Sequence, residues 1–517
     1  MKNTLRSAIA AFITCLLLFS FFPIAISADG PEEAEDISST ALVESSKGFV
    51  NLPRLFDKEF YLWNRVYGPC SLTLKHDEGI GSLYVMFAFT YGEYTVTNLD
   101  TGDSVTCGQY GFLNDFLDLV SFFGSAPKRV KLSFDHSNVV IRELYAFSQG
   151  EVPSFVQKWK PPVEGNADLV LFSTHGDDEH LFFAGILPYY AVEMGYNVQV
   201  VYLTDHHNNA GDVRNLEMLA GLWNVGIENY PVFGPFEDFL FGEKAMVYLG
   251  FQGYGWDKND LLGYVVENVR RFKPIVVVGH DFAGEYGHGQ HMVYAELLAE
   301  AVEISMDPDQ FPDSAQTYGL WDTPKAYFHL LKDNQIIMDW DRPLESFGGK
   351  TAFEVSIYQG FASHKTQVPD FSSYYRGYSR AIDLPENNPC YYGLYRSTVG
   401  EDVLKNDFFE NVYTHAEQKR LKEEAARAEE ERLAEEKRKA EEAKRAEEEA
   451  ARLKAEAEAK AKAEEEAKRL AELEAQQKAQ LEKEATEQKN RIILTVASCI
   501  LGAAILAGIL LLIFRKK

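Results

Sequence analysis

The stretch "DLVLFSTHGDDEH", residues 168–180, decides how this chain is read. Its first half is rich in Leu, Val and Phe and predicts a buried strand over Leu169–Thr174. The six residues from His175 to His180 then include five titratable side chains. Such crowding is either a solvated turn that opens a helix, with an Asp as N-cap and Glu179 or His180 in water, or a metal site at the carboxyl end of a parallel strand.

Outward from this stretch, from about residue 161, strands alternate with helices, the pattern of a parallel α/β sheet of Rossmann-like, doubly wound type. Further buried strands are expected at Val198–Thr204 and Ile275–Gly279. Helices are expected at Leu181–Met194, Asp212–Val225, Asn259–Phe272 and Gly289–Ile304. Residues 305–413 are aromatic and rich in turn residues and are assigned to the same domain as late strands and a substrate-side wall. Ligands of such folds bind outside the carboxyl ends of the strands. A second polar cluster, "GHDFAGEYGHGQH", stands at such an end after Ile275–Gly279.

The flanks differ in composition. Residues 1–27 have the layout of a secretory signal peptide: Lys2 and Arg6, an apolar run, then small residues before Ala28. Residues 28–47 read as an acidic linker. Residues 48–150 alternate short apolar runs with turn signals and predict a β-sandwich, loosely similar in texture to galactose-binding-like jelly rolls and thus a candidate carbohydrate-binding module. Its Tyr91, Tyr94 and Tyr110 are either sugar platforms or ordinary packing. Residues 415–490 are almost wholly Ala, Glu, Lys, Arg, Leu and Gln and predict one charged helix, a stalk of roughly 1.5 Å per residue. A weak Ala-rich coiled coil, and with it a dimer, stays open. Residues 492–514 carry no charge and predict a transmembrane helix, with the basic tail 515–517 on the cytoplasmic side and the body outside the cell. The formal charge of −27 argues against nucleic acid as a partner. Five cysteines, with Cys15 in the leader and Cys499 in the span, do not make a disulfide scaffold, and a Cys70–Cys107 bridge and buried thiols are both open.

His175 and Asp178, three residues apart in the turn, are close enough to share an ion, and Asp177 between them is free to take a proton. His288 and His291, three apart at a helix start, share a face and can complete the set. "THGDDEH" resembles the (P/A)HPDDE motif and "GEYGHGQH" the GHPDH motif of the PIG-L/LmbE-type zinc-dependent de-N-acetylases, which act on N-acetylglucosamine-type sugars. Arg214 and Glu217 resemble a helical R-x-x-E element, and "ASHKTQ", with His364 and Gln367, a late HxSQ element. The likeness covers approximately residues 165–380.

The resemblance implies Zn2+ held by His175, Asp178 and His291, with Asp177 as general base. Protonated His288 would stabilise the oxyanion or serve the leaving amine. Arg214 would contact the substrate sugar, or else simply pair with Glu217. Gly176, Gly289 and Gln290 depart from the family's Pro, Pro and Asp, which puts the support of the second histidine pair in question. The expectation is a membrane-anchored extracellular deacetylase of an N-acetylated glycan. Its rivals are an inactive stalked glycan-binding protein and a phosphoesterase, against which no second metal site with bridging carboxylates is evident.

Overall fold

The structure, a computed structural model, describes residues 33–46, 52–135, 138–206 and 212–484. The expected leader at 1–27, the span at 492–514 and the tail at 515–517 lie outside the described residues. Among the described residues no helix is long and apolar enough to cross a membrane. Residues up to Lys419 form one compact unit, and those from Arg420 belong to a second.

Strands β1 (Leu42–Ser45), β3 (Cys70–Lys75), β5 (Tyr94–Asn98), β6 (Ser104–Cys107) and β8 (Arg129–Phe134) form an antiparallel sheet in the order β1-β3-β8-β5-β6. A second antiparallel sheet holds β2 (Asn64–Tyr67), β4 (Ser82–Phe87), β7 (Asn114–Asp118) and β9 (Asn138–Phe147) in the order β2-β9-β4-β7. Leu72, Leu74, Val96 and Leu132 of the first sheet share one core with Leu83, Val85, Ile141 and Leu144 of the second. The acidic linker expected over 28–47 is corrected for its described residues, 33–46: β1 pairs with β3 across Leu42–Ser45, and the amide of Ala34 donates to the carbonyl of Glu151. Backbone pairing, which composition does not report, ties this segment down. Tyr94 is buried, with its hydroxyl donating to Asp115, so it offers no face to a sugar. Cys70, Cys107 and Cys390 are all buried, and Cys107 and Cys390 carry free thiols.

A seven-stranded sheet follows: β10 (Leu169–Ser173), β11 (Val198–Thr204), β12 (Val232–Phe236), β13 (Val276–Gly279), β14 (Lys325–His329), β15 (Gln335–Ile337) and β16 (Tyr391–Ser397). The order is β12-β11-β10-β13-β14-β16-β15, parallel through β14 and antiparallel at the last two pairings. Alternate residues of β10 face opposite ways: Leu169 and Leu171 pack into one core and Val170 and Phe172 into the other, which is why the strand is apolar throughout. Met218, Leu219 and Leu222 of the helix Asp212–Asn224 cover the first face; Val265, Val269, Leu297 and Leu298 of the helices Lys258–Phe272 and Gly289–Ile304 cover the second. The chain leaves β10 toward β11 on one side and later returns to β13 on the other, so the crevice between β10 and β13 is the switch point where such sheets take ligands.

The helix expected over Leu181–Met194 is broken. Helical turns run over Asp178–Leu181, and a π-helical segment over Leu187–Glu193. Gly185 between them has φ +97°, and a Cβ there would stand 2.4 Å from the Trp340 ring.

The helix His415–Glu484 begins at a reciprocal cap: the amide of Thr414 donates to Glu417, and the amide of Glu417 donates to the Thr414 hydroxyl. Along it, Arg432 pairs with Glu429 and Glu436 at 2.6 and 2.7 Å, and Lys439 with Glu435 at 2.8 Å.

Candidate metal centre and active site

The turn after β10 is wholly buried, His175 to His180 included, which corrects the solvated reading of Glu179 and His180. Asp178 folds back so that its Oδ2 accepts from the amide of His175 at 2.9 Å. Three donor atoms then converge. His175 Nδ1 and His291 Nε2 each lie 3.2 Å from Asp178 Oδ2, and 3.2 Å from one another. Donors bonded to one zinc-sized ion at about 2.0 Å and tetrahedral angles stand roughly 3.3 Å apart. The three residues therefore fit a divalent ion, and the turn and the second histidine pair meet because β10 lies beside β13.

The atoms behind these donors fix their orientation. His175 Nε2 faces Asp238 Oδ1 and Gln290 Oε1, each at 3.3 Å. His291 Nδ1 donates to Glu285 Oε2 at 2.7 Å. The same oxygen accepts from His280 Nδ1 at 2.9 Å, and the other oxygen of Glu285 lies 2.6 Å from His329 Nδ1. His280 Nε2 in turn accepts from the amide of Thr174, so its lone pair is already used, although it too stands near Asp178.

The three departures from the family motifs belong to one arrangement. A side chain at 176 would press on Met218 Sδ at 2.5 Å. At 289 it would meet the Phe241 carbonyl at 2.6 Å, and the Gly289 amide donates to that carbonyl, a bond proline cannot make. Gln290 donates to the Glu237 carbonyl at 2.8 Å and accepts from the Phe239 amide at 2.6 Å. Gly289 and Gln290 thus clasp the loop 237–241, which returns a carboxylate to the site as Asp238.

Charge follows this geometry. Burial opposes ionisation of Asp178, yet the charges of His291 and His175 hold it well below the usual carboxylate range. Against burial, Asp178 and Glu285 raise His291 to about 9, and Asp238 and Asp178 raise His175 well above an ordinary imidazole. Burial pushes Asp177 up to about 6 despite Arg214 beside it.

Without an ion, burial, then the charges of His175 and His291, hold His288 down at about 2, which favours the neutral ring over the protonated one expected. Both of its ring nitrogens lack a hydrogen-bond partner, and it stands within ligand reach of His175 and His291. Arg214 does not pair with Glu217. It reaches Asp238 at 3.1 Å and Asp177 at 3.5 Å, while Glu217 accepts from the amide and hydroxyl of Thr366.

Sequence reasoning missed Asp238, His206, His280, Glu285 and His329. His280 and Glu285 carried a signal, a histidine directly after a strand and an acid five residues on. Asp238, in a loop without periodicity, carried none.

Residues 170–302 match the family model described as PIG-L: GlcNAc-PI de-N-acetylase. The chain is 22% identical over 222 residues to the 1D-myo-inositol 2-acetamido-2-deoxy-alpha-D-glucopyranoside deacetylase 1 of Catenulispora acidiphila, covering 37% of this chain and 65% of that enzyme. With the corresponding deacetylase of Streptomyces scabiei it is 23% identical over 293 residues, 47% of this chain and 89% of the relative. Among solved structures, the N,N'-diacetylchitobiose deacetylase of Pyrococcus horikoshii aligns at a TM-score of 0.28 and 14% identity, covering 44% of this chain and 83% of that one.

Proposed function

We propose, from the match of residues 170–302 to the PIG-L family model, that the chain is a metal-dependent amidohydrolase removing acetyl from an N-acetylated amino sugar of the N-acetylglucosamine type. The observation that carries this reading is the convergence of His175 Nδ1, Asp178 Oδ2 and His291 Nε2 at mutual separations of 3.2 Å, beside a buried acid and an unpartnered histidine. Two imidazoles and a carboxylate suit zinc. Held there, the ion supplies Lewis acidity toward a water and toward the amide carbonyl.

The side chains supply the rest. Asp177, ionised above about 6, takes the proton from the attacking water, and Arg214 at 3.5 Å orients its carboxylate. His288, neutral, donates an N–H to the amide oxygen as negative charge grows on it. The acyl carbon gains the hydroxyl of water, the C–N bond breaks, and Asp177 returns the proton to the departing nitrogen, leaving acetate and a free amine. The second nitrogen of His175 stays fixed on Asp238 and Gln290 throughout. Arg214, at 3.1 Å from Asp238 and still partly exposed, is free to meet the substrate sugar in this reading.

The leader-like residues 1–27 and the uncharged stretch 492–514 support a membrane-anchored chain whose body faces outward and acts on a glycan or glycoconjugate. The test is bound metal and acetate release from a panel of N-acetylated sugars, measured on the same purified chain. Metal with acetate release that disappears in Asp177→Asn supports the reading; a chain with no metal affinity sinks it. Labelling intact cells with a membrane-impermeant reagent tests the placement.

A further inference from the structure

Beside the catalytic turn lies a second set of donors that the mechanism above does not use. Glu179 and His180 follow Asp178 directly, and His364 comes from the late segment after Phe361–Ser363. All three are fully buried. Glu179 Oε1 stands 3.4 Å from His180 Nε2 and 3.5 Å from His364 Nε2. Among the described residues the Tyr202 hydroxyl stands beside Glu179 and the Gly176 backbone beside His364, while neither ring nitrogen of His180 has a hydrogen-bond partner.

Neighbours on a helix normally point well apart. Here the His180 ring swings back to its own neighbour's carboxylate, and two glycines make room for it. A Cβ on Gly360 would stand 2.3 Å from His180 Nδ1, and one on Gly221 would stand 2.8 Å from His180 Nε2 and 2.9 Å from His364 Nε2.

The electrostatics need a cation. Among the described residues no lysine or arginine pairs with Glu179, while Asp177 and Asp178 precede it in the same buried turn. A carboxylate buried without a counter-charge is costly even with one hydroxyl, that of Tyr202, beside it. Three converging side chains, each offering one donor atom, are the arrangement that binding one ion resolves. Two imidazoles and one carboxylate again select a zinc-class ion over calcium or magnesium, which take oxygen donors.

We propose that Glu179, His180 and His364 form a second metal site, for one zinc-class divalent cation, that ties the segment Ser356–Phe371 to the catalytic turn. The site shares no residue with His175, Asp178 and His291, so it is a structural clamp and not one half of a bridged two-metal centre. It adds to what the late segment already does there, since Thr366 donates to Glu217 two residues beyond His364.

The test counts ions on the purified full-length chain, stripped with chelator and reloaded with zinc chloride. One ion per donor set is expected. His180→Gln and His364→Gln each lose one ion while keeping the other, and His291→Ala shows the reverse pattern. Loading of a single ion that His291→Ala abolishes and His180→Gln leaves intact overturns the second site and spares the deacetylase reading. A single ion lost only in His180→Gln does the opposite. Should the glutamine variants fail to fold by circular dichroism, anomalous scattering at the zinc edge from crystals of the unmutated chain decides. A peak among Glu179, His180 and His364 supports the proposal, and a peak at the first set alone overturns it.

Discussion

Asp238 Oδ1 lies 3.3 Å from Nε2 of His175, so the histidine that leads the catalytic turn is oriented by a carboxylate from a distant loop. The doubt raised by Gln290, where the family motif has an acid, concerned the second histidine pair, and there Glu285 stands behind His291 at 2.7 Å. Gln290 holds the loop and Asp238 carries the charge.

Asp238→Ala should therefore weaken metal binding about 10- to 100-fold, the usual cost of removing the group behind a ligating histidine. Gln290→Ala should act in the same direction by loosening the loop. Competition titration with a zinc chelator measures both, and unchanged affinity in Asp238→Ala would remove the carboxylate from this role.

Asp177→Asn should keep the metal and slow acetate release by roughly 10²- to 10⁴-fold, the range of a lost general base. Because the base works only when ionised and burial raises Asp177 to about 6, the rate of the parent chain should climb with pH through that value and then level off. A rate flat from pH 5 to 8 at full metal occupancy would assign the base elsewhere.

Metal affinity should rise with pH. Without an ion His291 holds a proton up to about 9, and His175 is raised as well, both by neighbouring carboxylates; an ion must displace those protons. The competition is strongest at low pH and fades as pH approaches the raised value of His291. Calorimetry in buffers of different ionisation enthalpy should register proton release at pH 7, and its absence would mean the histidines are already neutral.

Restoring the family prolines should harm this chain. Gly289→Pro removes the amide that donates to Phe241 and brings a side chain within 2.6 Å of that carbonyl, a loss of about 1–3 kcal/mol in thermal or denaturant unfolding. Gly176→Pro should be destabilising as well, because it removes the amide that donates to His206 Nε2 at 3.1 Å and presses on Met218. Equal stability of Gly289→Pro and the parent would show that the loop 237–241 moves freely.

The sequence by itself determined the strands and helices flanking the site and singled out five of its candidate side chains, His175, Asp177, Asp178, His288 and His291. Their chemistry is local: each pair lies within one turn, and period and spacing are readable without knowing what packs where. Helix continuity after the turn was not readable, because the break at Gly185 is set by the Trp340 ring from far along the chain. The protonation of His288 was not readable either, since burial and two neighbouring charged rings decide it. Tertiary structure alone decided that Glu285 serves His280, His291 and His329 at once, that Asp238 stands behind His175, and that His364 reaches Glu179. Each of these joins segments that meet only once β10 lies between β11 and β13 and the late chain folds over the turn, an order set by burying both faces of the sheet.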